Sequence, residues 1–394
     1  MPITGLITGI TVAGNNAPAQ LIDTVLVKVA SRCNIDCTYC YVYNLGDDNY
    51  LRLDKFMSEK TISALCASLG LLASVQEELF SVVLHGGEPL LLGSKKLCQF
   101  LAQLRKALPA SYPVSIQTNG ILLSDELLDI CSAFRVTVAV SIDGPKGVHD
   151  RLRKGHQGQD TFDMVMKGIN ILKAHRDALF LNAGVLAVID PESDPILVYN
   201  FFKELAAPSV DFLYKDGNHD RLPMGKSALD SMEYGRWLAG LLDVYLSDPF
   251  PMPIRVLDDM LKVFLGGMVS KEGMGVTDFG ILIVDTDGTI MKNDTLKSAY
   301  NGADLFEKPI NVAGGNLLEF LESDQFKNYR EDQRPTSATC LSCAHLGICG
   351  GGMTLHRYSR QNGFNNPSVY CADQIYLIGH MKAALTLLTV INEE

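Results

Sequence analysis

Apolar runs of strand length and amphipathic stretches of helical period alternate through the first half of the chain. The runs are Thr24–Ala30, Phe80–Leu84, Val114–Gln117, Val136–Val140, Phe180–Ala187 and Val210–Tyr214. Between them, apolar residues recur at helical spacing over about 58–73, 94–108, 124–133, 160–176 and 195–206. Leu97, Leu101, Leu104 and Leu108 form one such stripe, behind an expected cap at Ser94. This alternation predicts a parallel sheet with right-handed crossovers. Six repeats predict an α/β fold, a partial (β/α)6 barrel of the TIM type rather than a complete eightfold one.

The segments richest in chemistry each follow a predicted strand. Cys33, Cys37 and Cys40 follow the first, and His85-Gly86-Gly87-Glu88-Pro89 follows the second. Gln117-Thr118-Asn119-Gly120 ends the third, Ser141-Ile142-Asp143-Gly144-Pro145 ends the fourth, and Lys215–Asp220 follows the sixth. In a parallel barrel those loops open on the C-terminal face, where active sites are built. Beyond them, Tyr234–Leu246 and Arg255–Phe264 read as helices. Ile281–Val284 and Thr289–Met291 read as a small hairpin around Asp287-Gly288. A helix is expected near 315–328, and another from about 373 closes the chain. The expected division is an N-terminal segment 1–22, a barrel 23–220, a helical bridge 221–278 and a cysteine-rich region 279–394.

Composition narrows the function. A chain of 394 residues with 47% hydrophobic and 20% charged residues is of ordinary globular type. Its net charge of −11 argues against a phosphate-binding surface, so no nucleic acid is expected as substrate. No apolar run reaches the length of a membrane span and no secretion signal is visible, so a cytoplasmic protein is expected. Ten cysteines are then expected to be reduced, not paired as disulfides. Cys66, Cys98 and Cys131 stand alone in helical patterns and read as core. The other seven fall into two dense groups.

The first group has the spacing C-x3-C-x2-C. A partial zinc site is the alternative, but structural zinc prefers four ligands in paired C-x2-C units. Three thiolates on a cubic [4Fe–4S] cluster leave one iron without a protein ligand. This pattern resembles the radical S-adenosylmethionine (SAM) superfamily. The resemblance implies that the open iron binds the amino and carboxylate groups of SAM. It also implies that electron transfer from the cluster yields a 5′-deoxyadenosyl radical able to abstract hydrogen. An external donor of flavodoxin or ferredoxin type would supply the electron. By the same resemblance, Gly86, Gly87 and Glu88 serve the SAM amino group, and Ser141 and Asp143 the ribose. Arg153 holds the carboxylate, as a guanidinium pairs with a carboxylate in two places. Tyr39 lies near the adenine, Leu186 packs against it, and Asn119 completes the cofactor site.

The second group, Cys340, Cys343, Cys349 and Cys371, has the spacing C-x2-C-x5-C-x21-C. Four thiolates close either a [4Fe–4S] or a zinc site, and spacing does not separate the two. Here the chain resembles the SPASM group of radical SAM peptide maturases. Fully equipped members carry two auxiliary clusters. This chain has Asn293 and Met353 where two of the cysteines for one of them would stand, so two clusters in total are expected. Thr286–Lys297 and Gly350–Cys371 resemble the branch that joins an aromatic ring to a β-carbon, giving cyclophanes. The expected function is thus maturation of a ribosomally made precursor peptide by such a crosslink. Epimerisation, thioether or formylglycine formation, and a non-enzymatic metal-binding role are the alternatives. Asp216 and His219 are candidate proton acceptors. His356 and Arg357 would touch peptide or face solvent. With only about 20 residues before the first strand, no N-terminal recognition domain is expected, and the barrel and extension themselves would bind the peptide.

Overall fold

The computed structural model describes residues 22–391 apart from 270, 278 and 279, and side chains as far as residue 386. The expected N-terminal segment falls almost wholly outside that range. Six parallel strands form in chain order: β1 (Thr24–Ala30), β2 (Ser81–Gly86), β3 (Val114–Thr118), β4 (Thr137–Ser141), β5 (Asn182–Val188) and β6 (Val210–Leu213). Each pairs with the next. The crossover helices are α1 (Glu59–Val75), α2 (Gly93–Ala107), α3 (Asp125–Ala133), α4 (Phe162–Ala174) and α5 (Pro195–Glu204). This is the partial barrel that the alternating pattern predicts.

Local chemistry sets the helix starts. Ser58 and Ser124 accept from the N–H groups of Thr61 and Leu127, and Asp194 accepts from Ile196 just ahead of Pro195. Ser94 does not cap α2. A 3₁₀ turn at Pro89–Leu92 runs straight into that helix, so its start needs no side-chain cap. Phe180 belongs to a short helical turn, Ala178–Leu181, rather than to β5.

The C-terminal region joins the same sheet. α6 (Glu233–Ser247) and α7 (Arg255–Phe264) lead to β7 (Ile281–Val284), which pairs in parallel with β1. β8 (Thr289–Met291) and β9 (Ile310–Asn311) follow antiparallel, so the sheet runs β9-β8-β7-β1-β2-β3-β4-β5-β6. The helix expected near 315–328 is two, Leu317–Glu322 and Asp324–Asp332. They break at Ser323, whose extended backbone lets its hydroxyl cap the second. The last helix, α8 (Cys371–Ile391), lies on α6. There the fully buried Lys226–Asp373 ion pair spans 2.6 Å, and Asp373 also accepts from Gly235 N at 2.7 Å. Among the described residues no helix is long and apolar enough to cross a membrane.

Candidate active site

The cysteine loop leaves β1 and is stitched down at both ends. Cys37 pairs in an antiparallel bridge with Arg153, and Asp36 with Lys154. Thr38 N donates to Leu152 O at 2.9 Å, and the Asn44 amide donates to Asp36 Oδ1 and Cys37 O, both at 2.8 Å. The two glycines after β2 make this possible. Gly86 has φ +126°, and a Cβ on it would lie 2.1 Å from Ala30 O. A Cβ on Gly87 would lie 2.0 Å from the Tyr43 hydroxyl and 2.3 Å from Arg32 O. Their absent side chains let the loop carrying the cysteines close on β2.

Cys33, Cys37 and Cys40 line one cavity of about 190 Å³ with Tyr39, Gly86, Gly87, Asn119, Ser141, Arg153, Leu186 and Asp216. These residues come from the C-terminal halves of all six parallel strands or the loops after them, and from the segment carrying Arg153, so the barrel's C-terminal face gathers the site. Burial pushes the Cys33 thiol up to about 12 and the Cys40 thiol up to about 11, and raises Cys37 as well.

Arg153 is the main charge in this cavity. It is 6% exposed, its Nη1 donates to the Tyr39 hydroxyl at 2.6 Å, and it lies 3.6 Å from Asp143 Oδ1. The Tyr39 hydroxyl in turn donates to Asp143 Oδ2 at 2.7 Å. The Arg153 Nε is buried and has no hydrogen-bond partner. A free guanidinium N–H beside three thiols fits the expected group: three thiolate ligands, one open iron and a carboxylate of SAM. The site would then be held by Cys33, Cys37 and Cys40, with Arg153 toward the carboxylate.

Two expected cofactor contacts are relocated. Asp143 is not among the lining residues; it accepts from Tyr39 and from Val188 N at 3.1 Å, and so fixes Tyr39 and Arg153 in place. Glu88 is fully buried behind the wall. It accepts from Leu90 N at 2.9 Å, Thr118 Oγ1 at 2.7 Å and Asn119 N at 2.8 Å. It therefore braces the end of β3 and sets Asn119, whose amide donates to Asn34 Oδ1 at 2.7 Å within the cysteine loop. Ser141 does line the cavity, accepting from Gln117 Nε2 at 2.9 Å.

A second chamber of about 440 Å³ opens beside the first and shares Tyr41, His85, Gln117, Leu186 and Asp216 with it. Its far wall is the C-terminal region: Glu272, Asn293, Asp294, Met353, His356 and Tyr370. Asp216 thus stands where the sequence puts it. His219 does not: its Nε2 meets Pro367 O at 2.8 Å and its N–H donates to Tyr358 O at 2.9 Å, so it ties a barrel loop to the extension and lines neither cavity. His356 and Arg357 are 3% and 1% exposed, not solvent-facing. His356 lines the chamber, while Arg357 donates to Gln333 O and Thr354 Oγ1 behind it.

Asp294 is a chamber residue that sequence reasoning missed. Its Oδ2 is 2.5 Å from the buried Lys28 ammonium and accepts from the Tyr41 hydroxyl at 2.9 Å. Burial works to raise its pKa, but Lys28 and Lys297 outweigh that and hold the carboxyl below its ordinary range. The signal was available: a lysine in the middle of the apolar run Thr24–Ala30 needs a buried counter-charge.

The four C-terminal cysteines come together from three segments. Cys340 is buried, the other three are partly so, and Cys340, Cys343 and Cys371 all lie close enough to Cys349 to raise its pKa, although burial is the larger cause in pushing it up to about 11. Gly350, Gly351 and Gly352 turn the chain after Cys349 with positive φ; a Cβ on Gly350 would lie 2.1 Å from Gly275 O. Among the described residues no three Cys, His, Asp or Glu side chains converge as the ligands of a single metal ion would. Of the two residues read as standing in place of cysteines, Asn293 donates its amide to Glu272 and its N–H to Tyr329 Oη at 2.8 Å, and Met353 lies against Gly273.

The radical SAM superfamily model matches residues 27–194, the span that carries the three-cysteine loop, the two glycines and Arg153. The chain is a radical SAM enzyme. It is 24% identical to the cysteine-type anaerobic sulfatase-maturating enzyme of Clostridium perfringens, over 88% of this chain and 93% of that protein. It is 28% identical to the serine-type anaerobic sulfatase-maturating enzyme of Bacteroides thetaiotaomicron, over 85% of this chain and 83% of the relative. Among solved structures, native anSMEcpe with bound AdoMet and Cp18Cys peptide matches with a TM-score of 0.78 at 23% identity, covering 94% of this chain and 99% of that one. The radical SAM enzyme therefore shares that fold, partial barrel and C-terminal extension together.

Proposed function

We propose that this radical SAM enzyme matures a peptide or protein by oxidising one residue at its β-carbon. The observation that carries the reading is the chamber of about 440 Å³ that adjoins the cysteine-lined cavity and is closed by the C-terminal region. The sulfatase-maturating relatives and the peptide-bound neighbour support a polypeptide substrate. They favour oxidation of a cysteine or serine to formylglycine over the ring-to-β-carbon crosslink that the sequence resemblance suggests. The crosslink is the second reading, and it rests on the resemblance of Thr286–Lys297 and Gly350–Cys371 to the branch that forms it.

The chemistry that a bound cluster and SAM supply is hydrogen abstraction from an unactivated C–H bond. The chain's own residues do the rest. Arg153, fixed by Tyr39 and Asp143, anchors the SAM carboxylate. Leu186 and Gln117, common to both cavities, form the boundary across which a substrate C–H meets the cofactor. Asp216 and Asp294, which both line the larger chamber, would take a proton from the oxidised substrate. Cys340, Cys343, Cys349 and Cys371 would hold an auxiliary [4Fe–4S] cluster, and a flavodoxin- or ferredoxin-type protein would donate the starting electron.

The test is anaerobic incubation of the reconstituted, reduced enzyme with SAM and the small peptides encoded beside its gene, alongside cysteine- and serine-containing model peptides. The readouts are 5′-deoxyadenosine, product mass and trapping with an aldehyde reagent. Formylglycine gives a trapped aldehyde; a crosslink gives a product two hydrogens lighter that does not trap. SAM cleavage coupled only to a small metabolite would overturn the proposal.

A further inference from the structure

A second buried arginine repeats the signature that marks the cofactor cavity. Arg357 is 1% exposed, and its Nε is buried with no hydrogen-bond partner, as is the Nε of Arg153 beside the first cysteine group. Its Nη2 donates to Gln333 O at 2.5 Å and to Thr354 Oγ1 at 3.0 Å. Glu272 and Asp332 act on the guanidinium through space, yet among the described residues no carboxylate comes within ion-pair distance of it. A buried N–H without an acceptor is costly, so a partner that the chain does not itself provide is implied.

Position limits what that partner is. Arg357 lines neither the cofactor cavity nor the larger chamber, so neither SAM nor a chamber-bound substrate is the acceptor. It lies instead where the segments carrying the four C-terminal cysteines meet. Gln333 precedes Cys340 and Cys343 in the chain, and Thr354 follows Cys349. The neighbouring His356 carbonyl accepts from Val369 N at 2.8 Å, just ahead of Cys371, and Asn366 Nδ2 donates to Arg357 O at 2.8 Å. Burial lowers the Arg357 pKa, while Glu272, Cys340, Asp332 and Cys349 act against it, so two of the four cysteines are within electrostatic reach of the guanidinium.

We propose that Arg357 donates a hydrogen bond through Nε to a sulfur of the auxiliary [4Fe–4S] cluster held by Cys340, Cys343, Cys349 and Cys371, and raises that cluster's reduction potential. The inference rests on the auxiliary-cluster reading above. Four thiolates leave the loaded site anionic, and reduction adds another negative charge. A buried cation and an N–H aimed at sulfur both favour the reduced state. That suits an electron acceptor. When the substrate radical is oxidised, one electron passes to the oxidised cluster and one proton to a chamber carboxylate. An oxidised flavin or iron–sulfur carrier protein then takes the electron away. Arg357 acts through the cluster and is a positioning residue.

The experiment uses the full chain with Cys33, Cys37 and Cys40 changed to Ala, so that only the C-terminal site is loaded. Redox titration followed by electron paramagnetic resonance compares Arg357 with Arg357→Gln and Arg357→Lys in that background. Arg357→Gln should lower the equilibrium constant for reduction about tenfold, which is about 59 mV for one electron. Arg357→Lys keeps the charge but loses the planar fork, so its potential should fall less. A second measurement leaves this residue intact. Pulsed resonance of the reduced cluster, in protein labelled with nitrogen-15 arginine, should detect a coupled arginine nitrogen, and it decides the matter if neither variant loads iron. An absent coupling, or unchanged potentials in both variants, overturns the role of Arg357 while the cluster stands. A site that takes zinc, or takes no iron, overturns the auxiliary-cluster reading and this inference with it.

Discussion

The Arg153 guanidinium donates to the Tyr39 hydroxyl at 2.6 Å, joining the residue between Cys37 and Cys40 to a residue more than a hundred positions away. Tyr39 then donates to Asp143, so the guanidinium is held from one side and its Nε is left for a ligand. Replacing Arg153 with Ala should weaken SAM binding by about one to two decades, from a charge-assisted hydrogen bond worth roughly 1.5–3 kcal/mol. Tyr39→Phe should weaken it less, because the charge remains. Equilibrium binding of SAM to the reconstituted enzyme measures both, and an unchanged dissociation constant in Arg153→Ala would remove it from the cofactor site.

Seven cysteines divided three and four should hold about eight irons per chain with matching sulfide. Changing Cys33, Cys37 and Cys40 together to Ala should leave about four irons and abolish 5′-deoxyadenosine formation. About twelve irons, or four plus one zinc, would refute the division into two clusters.

Gly87→Ala should damage the first cluster selectively. Its new Cβ would sit 2.0 Å from the Tyr43 hydroxyl and 2.3 Å from a backbone oxygen that cannot swing away. Overpacking of this kind costs about 1–3 kcal/mol, and here the backbone that must shift carries Cys33. We expect iron content to fall toward that of the triple cysteine variant while the C-terminal site stays loaded. Full iron content with normal SAM cleavage would contradict the close-approach argument.

Asp294→Asn should destabilise the protein by about 3–5 kcal/mol, because it leaves the 4% exposed Lys28 ammonium without its partner. The double change Lys28→Met with Asp294→Leu should recover much of that loss, since an apolar pair removes both charges together. Urea melts of the three proteins give the comparison. A double variant no more stable than Asp294→Asn would argue that other contacts of Asp294, such as Tyr41, dominate.

Glu272 should make stability fall as pH rises. Burial lifts its pKa from an ordinary 4.5 to about 7 in the folded protein. The native state therefore binds more protons than the unfolded chain between those values, and stability declines across that window and then levels off. Glu272→Gln should lack this decline, so its stability relative to the wild type should grow from about pH 4.5 to about pH 7. Thermal melts at a series of pH values test it; a difference independent of pH would show that Glu272 titrates normally.

What the sequence determined by itself was periodic and local. Apolar runs separated by amphipathic stretches specified six parallel strands, and the Asp287-Gly288 turn specified the hairpin β7–β8, because periodicity reports which face a residue buries. The two cysteine groups were equally plain, since ligand spacing within a loop is a local property. Tertiary structure decided the rest. Arg153 belongs with the cysteines because its own short strand pairs with Cys37, a contact between distant segments that no periodicity encodes. Glu88 and Asp143 looked like ligand contacts from their motifs, but burial turned their oxygens to neighbouring strands and loops. His219 lies three residues from Asp216, yet Pro367 claims its ring nitrogen. Glu272 and Asp294 carried no motif at all. They became chamber residues because β7 docks beside β1 and brings the far wall over the barrel's open end, where a buried charge answers to whatever the fold places next to it.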